Sequence, residues 1–305
     1  KTISHDNLAT IIYTSGTTGD PKGVMLTHGN FLFAFNSHVE RLDIDQTGHS
    51  LAFLPLSHVF ERSWTMLAMH VGMKIRFLAD PKEVIDTLSE IKPTAMCSVP
   101  RLYQKVYQTV ISKAEESSKI KRNLFFWALE TGKIQSKLRN LQKHIPFGQN
   151  IKYKLADIIV LKKIRNIFGG NMRLMPCGGA ALSSEIVDFL HAAGLPVVVG
   201  YGLTETTATV TLFPRTEIRT ESAGESLPGV EIKLGKDNEI LVKGKTVMKG
   251  YYKKAEETNK VFEGEWFKTG DAGEIDKKGN LVITDRLKDL MKTAGGKYIA
   301  PQLIE

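Results

Sequence analysis

The sequence predicts an α/β fold in which a mostly parallel sheet is layered with helices and followed by a small antiparallel β-sheet or barrel. Two observations carry this. From about residue 50 to residue 200, short β-branched apolar runs alternate with stretches of helical length, the mark of βαβ units. Past Phe213 the texture changes to short alternating runs separated by turn clusters such as Gly235-Lys236-Asp237-Asn238 and Lys277-Lys278-Gly279-Asn280, the mark of hairpins. Length agrees, because 305 residues with 42% apolar and 24% charged side chains suffice for two domains or one large one. The expected division is an α/β part over 1–212, a small β part over 213–285, and a hinge with the start of a further domain over 286–305.

In chain order, Ile11-Ile12-Tyr13 is a β-branched run that enters the loop Thr14-Ser15-Gly16-Thr17-Thr18-Gly19-Asp20-Pro21-Lys22-Gly23. Val24-Met25-Leu26 is a second apolar run, so the stretch reads strand, loop, strand. Asn30 is placed to cap a helix through about Arg41. A buried strand is expected from Leu51 to Leu56, a helix ending near Gly72, and a strand from Lys74 to Leu78. Asp80-Pro81 then opens a helix with cap and first-turn proline in their preferred places, and Thr94 to Val99 is the next strand. Residues 100–169 read as helical. Strands return at Asn171 to Pro176 and Pro196 to Val199, around a helix capped by Ser183 or Ser184 and closed by Gly194. Val230 to Leu234, Glu239 to Val242, Glu274 to Asp276 and Leu281 to Asp285 are the short strands of the last part.

The loop after Tyr13 has the chemistry of a phosphate cradle. Gly16 and Gly19 let backbone N–H groups converge on an anion, the hydroxyls of Thr14, Ser15, Thr17 and Thr18 can donate, and Lys22 adds a point charge. The spacing from Gly16 to Lys22 does not fit the common P-loop. A Gly/Ser/Thr surface turn is the plain alternative.

Further strings offer partners for that loop. Tyr201-Gly202-Leu203-Thr204-Glu205-Thr206 follows a predicted strand at its carboxyl end, where open α/β sheets bind ligands. Gly178-Gly179-Ala180 leaves room for a flat ring to approach the backbone. Lys268-Thr269-Gly270-Asp271 and Asp285-Arg286-Leu287-Lys288-Asp289 bring a carboxylate that can grip vicinal hydroxyls and a guanidinium. His58 stands in Leu54-Pro55-Leu56-Ser57-His58-Val59-Phe60-Glu61-Arg62 at a helix start. Taken singly, each has a structural alternative: a helix cap, a turn, a solvated charge cluster, or a histidine satisfied by a hydrogen bond.

Taken together and in this order, the strings closely resemble the adenylate-forming superfamily, from Thr2 to Glu305. The stretch from Leu54 to Arg62, with Val99-Pro100-Arg101-Leu102-Tyr103, resembles its long-chain fatty acid–CoA ligases. The resemblance implies ATP-dependent activation of a fatty acid to acyl-AMP, with pyrophosphate leaving, followed by displacement of AMP by the CoA thiol. It further implies that the loop hydroxyls and Lys22 hold the pyrophosphate portion and that Thr204 stands near the α-phosphate. By the same resemblance Glu205 binds Mg²⁺, and Tyr201, Gly202, Gly178, Gly179 and Ala180 surround adenine. Asp271 takes the ribose, Arg286 the ribose or α-phosphate, and His58 lies beside the carboxylate. Two alternatives stay open, an acyl-AMP ligase that loads a carrier protein and a non-catalytic nucleotide- or lipid-binding scaffold. The family also has a C-terminal domain that completes adenylation, joined near Lys288-Asp289. With no initiator Met and a helix start at Pro301, the chain is read as the middle of a longer protein, poorly active on its own.

Composition narrows the setting. Cys97 and Cys177 lie in apolar runs without metal-site spacing, so buried free thiols in a reducing cytoplasm are expected. No apolar run reaches the length of a membrane span. Between Lys113 and Arg165 thirteen Lys or Arg face four acids, so this segment holds the whole net excess of +8. With Phe125, Phe126 and Trp127 it can form a peripheral membrane contact, the alternative being a solvated helical face. Nucleic-acid binding has charge in its favour but no motif and is not expected. Acyl chain length and oligomeric state are not legible.

Overall fold

Backbone pairing follows the two textures of the sequence. The computed structural model describes residues 2–14, 20–214, 222–287, 291–292 and 298–299. Expectations on residues 15–19, 288–289 and 301 lie outside them.

β1 (Leu8–Thr14) and β2 (Lys22–Thr27) pair antiparallel, with Thr14 opposite Lys22. Thr27 caps α1 (His28–Leu42): its hydroxyl accepts from Asn30 N–H, and the Asn30 side chain accepts from Thr27 N–H at 2.8 Å. Asn30 is thus in the first turn rather than at the cap, because the Thr27 oxygen already fills that role.

β3 (His49–Ala52), α2 (Val59–His70) and β4 (Lys74–Phe77) form the first parallel βαβ unit. Asp80 accepts from Lys82 N–H, and a short turn leads into α3 (Val84–Ile91). The run expected as a strand at 94–99 meets its neighbours only through single parallel bridges, Ser50 to Ala95, Ala95 to Leu174 and Ser98 to Cys177. α4 (Pro100–Glu115) starts on its proline. α5 (Lys119–Asn140) follows, then α6 (Phe147–Ala156), which runs through one π-helical turn, Asp157–Leu161, into α7 (Lys162–Ile167). Arg165 clasps Asp157 across that turn with both terminal nitrogens, at 2.6 and 2.9 Å. β5 (Met175–Cys177), α8 (Ser184–Ala192) and β6 (Val197–Tyr201) form the second parallel unit, and β7 (Thr211–Leu212) closes the sheet antiparallel. α5 and α8 approach so closely that a Cβ on Gly132 would strike the carbonyl of Ala192.

Alternate residues of this sheet face two different cores. Ala95, Cys97, Leu174 and Val198 pack with α1 and α2, whereas Met96, Met175 and Val197 pack with the helices from α3 to α8. Burial of both faces explains why the strands read as unbroken apolar runs. Cys97 and Cys177 are both buried and free.

The last part is a curled antiparallel sheet of β8 (Val230–Leu234), β9 (Glu239–Gly244), β11 (Phe262–Glu263), β12 (Trp266–Ile275) and β13 (Leu281–Arg286). β10 (Gly250–Tyr251) pairs instead with β2, and α9 (Ala255–Lys260) follows it. β14 (Met291–Lys292) and β15 (Tyr298–Ile299) pair antiparallel. The expected short strand at Glu274 is the end of the ten-residue β12. The sequence hid its first half because Gly270 takes φ +75° where the register with β9 shifts. Ile240, Phe267 and Leu281 join the same core as α1 and α2, so the two sheets share one interior. Among the described residues no helix is long and apolar enough to cross a membrane.

α8 is tied to β6 by His191, whose Nε2–H donates to the Val197 carbonyl at 2.7 Å. Burial depresses this imidazole from 6.5 to about 4, against the pull of that bond. The unfolded chain therefore takes up a proton below pH 6.5 that the folded chain refuses until about pH 4, so stability is full above 6.5 and is lost as pH falls through the window. Denaturant melts from pH 7 to pH 4 should show wild type losing ~3 kcal/mol more than His191→Gln. Parallel curves would remove His191 from the account.

Candidate functional site

A cavity of about 800 Å³ opens where the two sheets meet, a size suited to a nucleotide with room beside it. Thr14, Lys22, His58, Gly178, Gly179, Gly202, Thr204, Glu205, Asp271 and Arg286 all line it. Tyr201 and Ala180 are not in the wall, although the Tyr201 hydroxyl donates to Asp271, which is. Ser15, Gly16, Thr17, Thr18 and Gly19 lie outside the described residues.

The β1–β2 register sets Lys22 at the first position after the loop, and the Thr14 hydroxyl reaches the Lys22 carbonyl at 3.5 Å. Lys22 Nζ contacts Glu257 Oε2 at 3.0 Å and stands 5.2 Å from the centre of the Tyr251 ring. Lys22 and then Lys260 hold the Glu257 carboxyl below the usual carboxylate range. Tyr251 is delivered by the β10–β2 pairing, opposite Val24, and its hydroxyl donates to Glu205 Oε1 at 2.9 Å. Burial first, then the Glu205 charge, pushes the Tyr251 phenol far up, so it stays a donor.

Glu205 sits in the tight turn at the carboxyl end of β6. Gly202 is required there, since a Cβ would collide with the Ala208 carbonyl oxygen, and the Met248 N–H fixes the turn by donating to the Glu205 carbonyl at 2.7 Å. Asp271 on β12 lies opposite Arg286 on β13, 3.4 Å from Oδ1 to the Arg286 Nε. Its other oxygen accepts from the Tyr201 hydroxyl at 2.7 Å. Asp271 is nearly buried, whereas the Arg286 side chain is 59% exposed, so the guanidinium can move without unburying the carboxylate.

The floor is built by the turn before α2. His58 is exposed at its start and makes no side-chain cap bond. Phe60 lies against Gly178, where a Cβ would meet its ring at 3.3 Å. Glu61 is fully buried: its carboxylate accepts from Leu54 N–H at 2.9 Å, Thr65 Oγ1 at 3.1 Å and Cys97 Sγ at 3.6 Å, and burial pushes its pKa up against these bonds. Beyond it, Phe35, Leu42, Trp64 and Leu67 of α1 and α2 form an apolar wall. Among the described residues no group of three or more His, Cys, Asp or Glu could hold a metal ion. The carboxylates that line the cavity are Glu61, Glu205, Glu239 and Asp271.

Residues 1–252 match the model of the AMP-binding enzyme family. The chain belongs to that family. It is 36% identical over 299 residues to the long-chain-fatty-acid–CoA ligase FadD15 of Mycobacterium tuberculosis, covering 97% of this chain and 49% of that protein. It is 34% identical over 317 residues to the peroxisomal long chain acyl-CoA synthetase 7 of Arabidopsis thaliana, covering 98% and 44%. The chain thus spans about half the length of the curated relatives it matches. Among solved structures it is similar to O-succinylbenzoate coenzyme A synthetase of Bacillus subtilis in complex with AMP, with a TM-score of 0.73, 26% identity, and coverage of 99% of this chain and 54% of that one. The same enzyme in complex with ATP and magnesium ion gives a TM-score of 0.73 and the same identity.

In this member of the AMP-binding family ten of the candidate site residues read from the sequence line the cavity, while Tyr251 in its wall, Glu257 beside Lys22 and the role of Glu61 went unread. Glu61 carried a signal, a carboxylate inside an apolar string. Tyr251 and Glu257 carried none, because the pairing of β10 with β2 brings Tyr251 to the cavity and α9, which follows, sets Glu257 against Lys22. Tyr251→Phe should cost ~1 kcal/mol of stability in urea melts through the lost Glu205 bond. Tyr251→Leu, which also removes the ring under Lys22, should cost more; equal costs would mean that the ring contact contributes nothing.

Proposed function

We propose that the chain carries the adenylate-forming site of an ATP-dependent long-chain fatty acid–CoA ligase. The observation that carries this is the convergence of Lys22, Glu205, Asp271 and Arg286 on one cavity with an apolar wall behind it. In this reading Lys22, on leaving Glu257, meets the β- and γ-phosphates together with Thr14 and the loop hydroxyls Ser15, Thr17 and Thr18. Asp271, held by Tyr201, accepts from the ribose hydroxyls, and Arg286 swings to the ribose or α-phosphate. Gly178, Gly179 and Ala180 admit adenine beside Phe60. His58 orients the fatty acid carboxylate, whose oxygen attacks the α-phosphorus as the bond to pyrophosphate breaks. The CoA thiol then displaces AMP from the acyl group. Glu205 would hold Mg²⁺, which supplies charge neutralisation on the phosphates when bound.

The names of the relatives support a long-chain fatty acid as substrate and CoA as acceptor. The two buried free thiols support a cytoplasmic setting. The charge of 113–165 supports a peripheral contact with membranes. The division falls at 212/213, between β7, the last strand of the sheet of β5 and β6, and β8, the first strand of the five-stranded antiparallel sheet.

Calorimetry with ATP and Mg²⁺ tests the site. Binding should strengthen with the metal in wild type, should lose that strengthening in Glu205→Ala, and should weaken at least tenfold with or without metal in Asp271→Ala. Equal metal dependence in wild type and Glu205→Ala would contradict the assignment. Incubation with ATP, CoA and a fatty acid series, read by mass spectrometry, tests acceptor and chain length: acyl-CoA is expected, and acyl-AMP that accumulates unchanged with CoA present would favour a carrier protein.

A further inference from the structure

The helical segment between β4 and β5 leaves apolar side chains uncovered in a pattern. On α5, Ile120, Trp127 and Ile134, with Leu141 at the C-cap, recur every seven residues and are all exposed, Ile120 by 81%. On α6 and its π-helical continuation, Phe147, Ile151, Leu155 and Ile158 recur at helical spacing, with Phe147 80% and Ile158 70% exposed. α5 and α6 are neighbours, joined where Gln149 donates to the Thr131 carbonyl and Gln135 to the Asn150 side chain. Neither stripe belongs to the two cores of the fold.

The chemistry around the stripes selects the occupant. Lys133 and Lys137 flank Ile134, and Lys152, Lys154 and Lys162 edge the second stripe; all are exposed, in a segment with thirteen basic residues against four acids. Protein interfaces are depleted of lysine, whereas a lysine beside an apolar stripe lays its stem on hydrocarbon and its ammonium among headgroups. Trp127 stands in the first stripe, a residue type that favours the boundary between water and lipid.

We propose that the α5–α6 face lies on an anionic lipid bilayer, with the apolar stripes entering the headgroup boundary and the lysines pairing with lipid phosphates and carboxylates. This deepens the peripheral contact proposed above and rests on it, but not on the ligase chemistry.

The test is co-sedimentation of the 305-residue chain with vesicles of phosphatidylcholine containing about one third phosphatidylserine, and with phosphatidylcholine alone, at low and high salt. Binding is expected to the anionic vesicles only, weakening with salt, with a blue shift of tryptophan emission that Trp127→Phe removes. Phe147→Ser/Ile158→Ser and Lys152→Glu/Lys154→Glu/Lys162→Glu should each weaken binding at least tenfold while melting like wild type, these side chains being exposed. Wild-type binding by Phe147→Ser/Ile158→Ser would overturn this face while leaving a charge-driven contact in place. No binding by wild type would overturn both, and a dimer in the absence of lipid that the same variant abolishes would assign the face to a second copy instead.

Discussion

β2 is hydrogen-bonded on both edges, to β1 on one side and β10 on the other, and the site depends on this. The first pairing sets Lys22 at the end of the loop; the second carries Tyr251 from the far part of the chain to a place between Lys22 and Glu205. A side chain with a negative ring face and a hydroxyl donor suits both neighbours, a cation over the ring and a carboxylate on the oxygen. Lys22 belongs to the sheet of β1, β2 and β10 and Glu205 to the turn after β6, and the Tyr251 side chain links the two.

Two of the cations that line the cavity are paired within the protein. Lys22 is balanced by Glu257, and Arg286 by Asp271, which also takes the Tyr201 hydroxyl. Each pair has one more enclosed and one more exposed member. Asp271 is buried and bonded to its neighbours, while Arg286 and Glu257 are more open to solvent. A phosphate entering the cavity would exchange one anionic partner of Lys22 for another, so the cation need not be stripped bare at any stage. Glu61 does similar work beneath the floor, where one buried carboxylate gathers Leu54, Thr65 and Cys97 and so fixes the turn that presents His58 and Phe60.

Much of this was legible in the amino acids. The parallel units, the change to antiparallel pairing and the buried thiols follow from periodicity and turn residues, because both faces of the first sheet are covered and its strands are unbroken apolar runs. The legible part of the wall was the part written in short strings, such as Gly178-Gly179 and Thr204-Glu205. Three features were hidden for physical reasons. The Thr27 cap looked like a strand residue because it is one. β12 was cut in two by Gly270, whose left-handed backbone reads as a turn. Tyr251 and Glu257 sit in an unremarkable run whose importance lies in a pairing some 225 residues distant in sequence, and no local pattern encodes that.

The proposed function requires that both sheets close on one mononucleotide. The most direct measurement is an AMP titration of the isotope-labelled chain followed by amide NMR. The amides of Gly179, Glu205, Asp271 and Arg286 are expected to shift together along one saturation curve. Shifts confined to one sheet, or two groups saturating at different AMP concentrations, would contradict it.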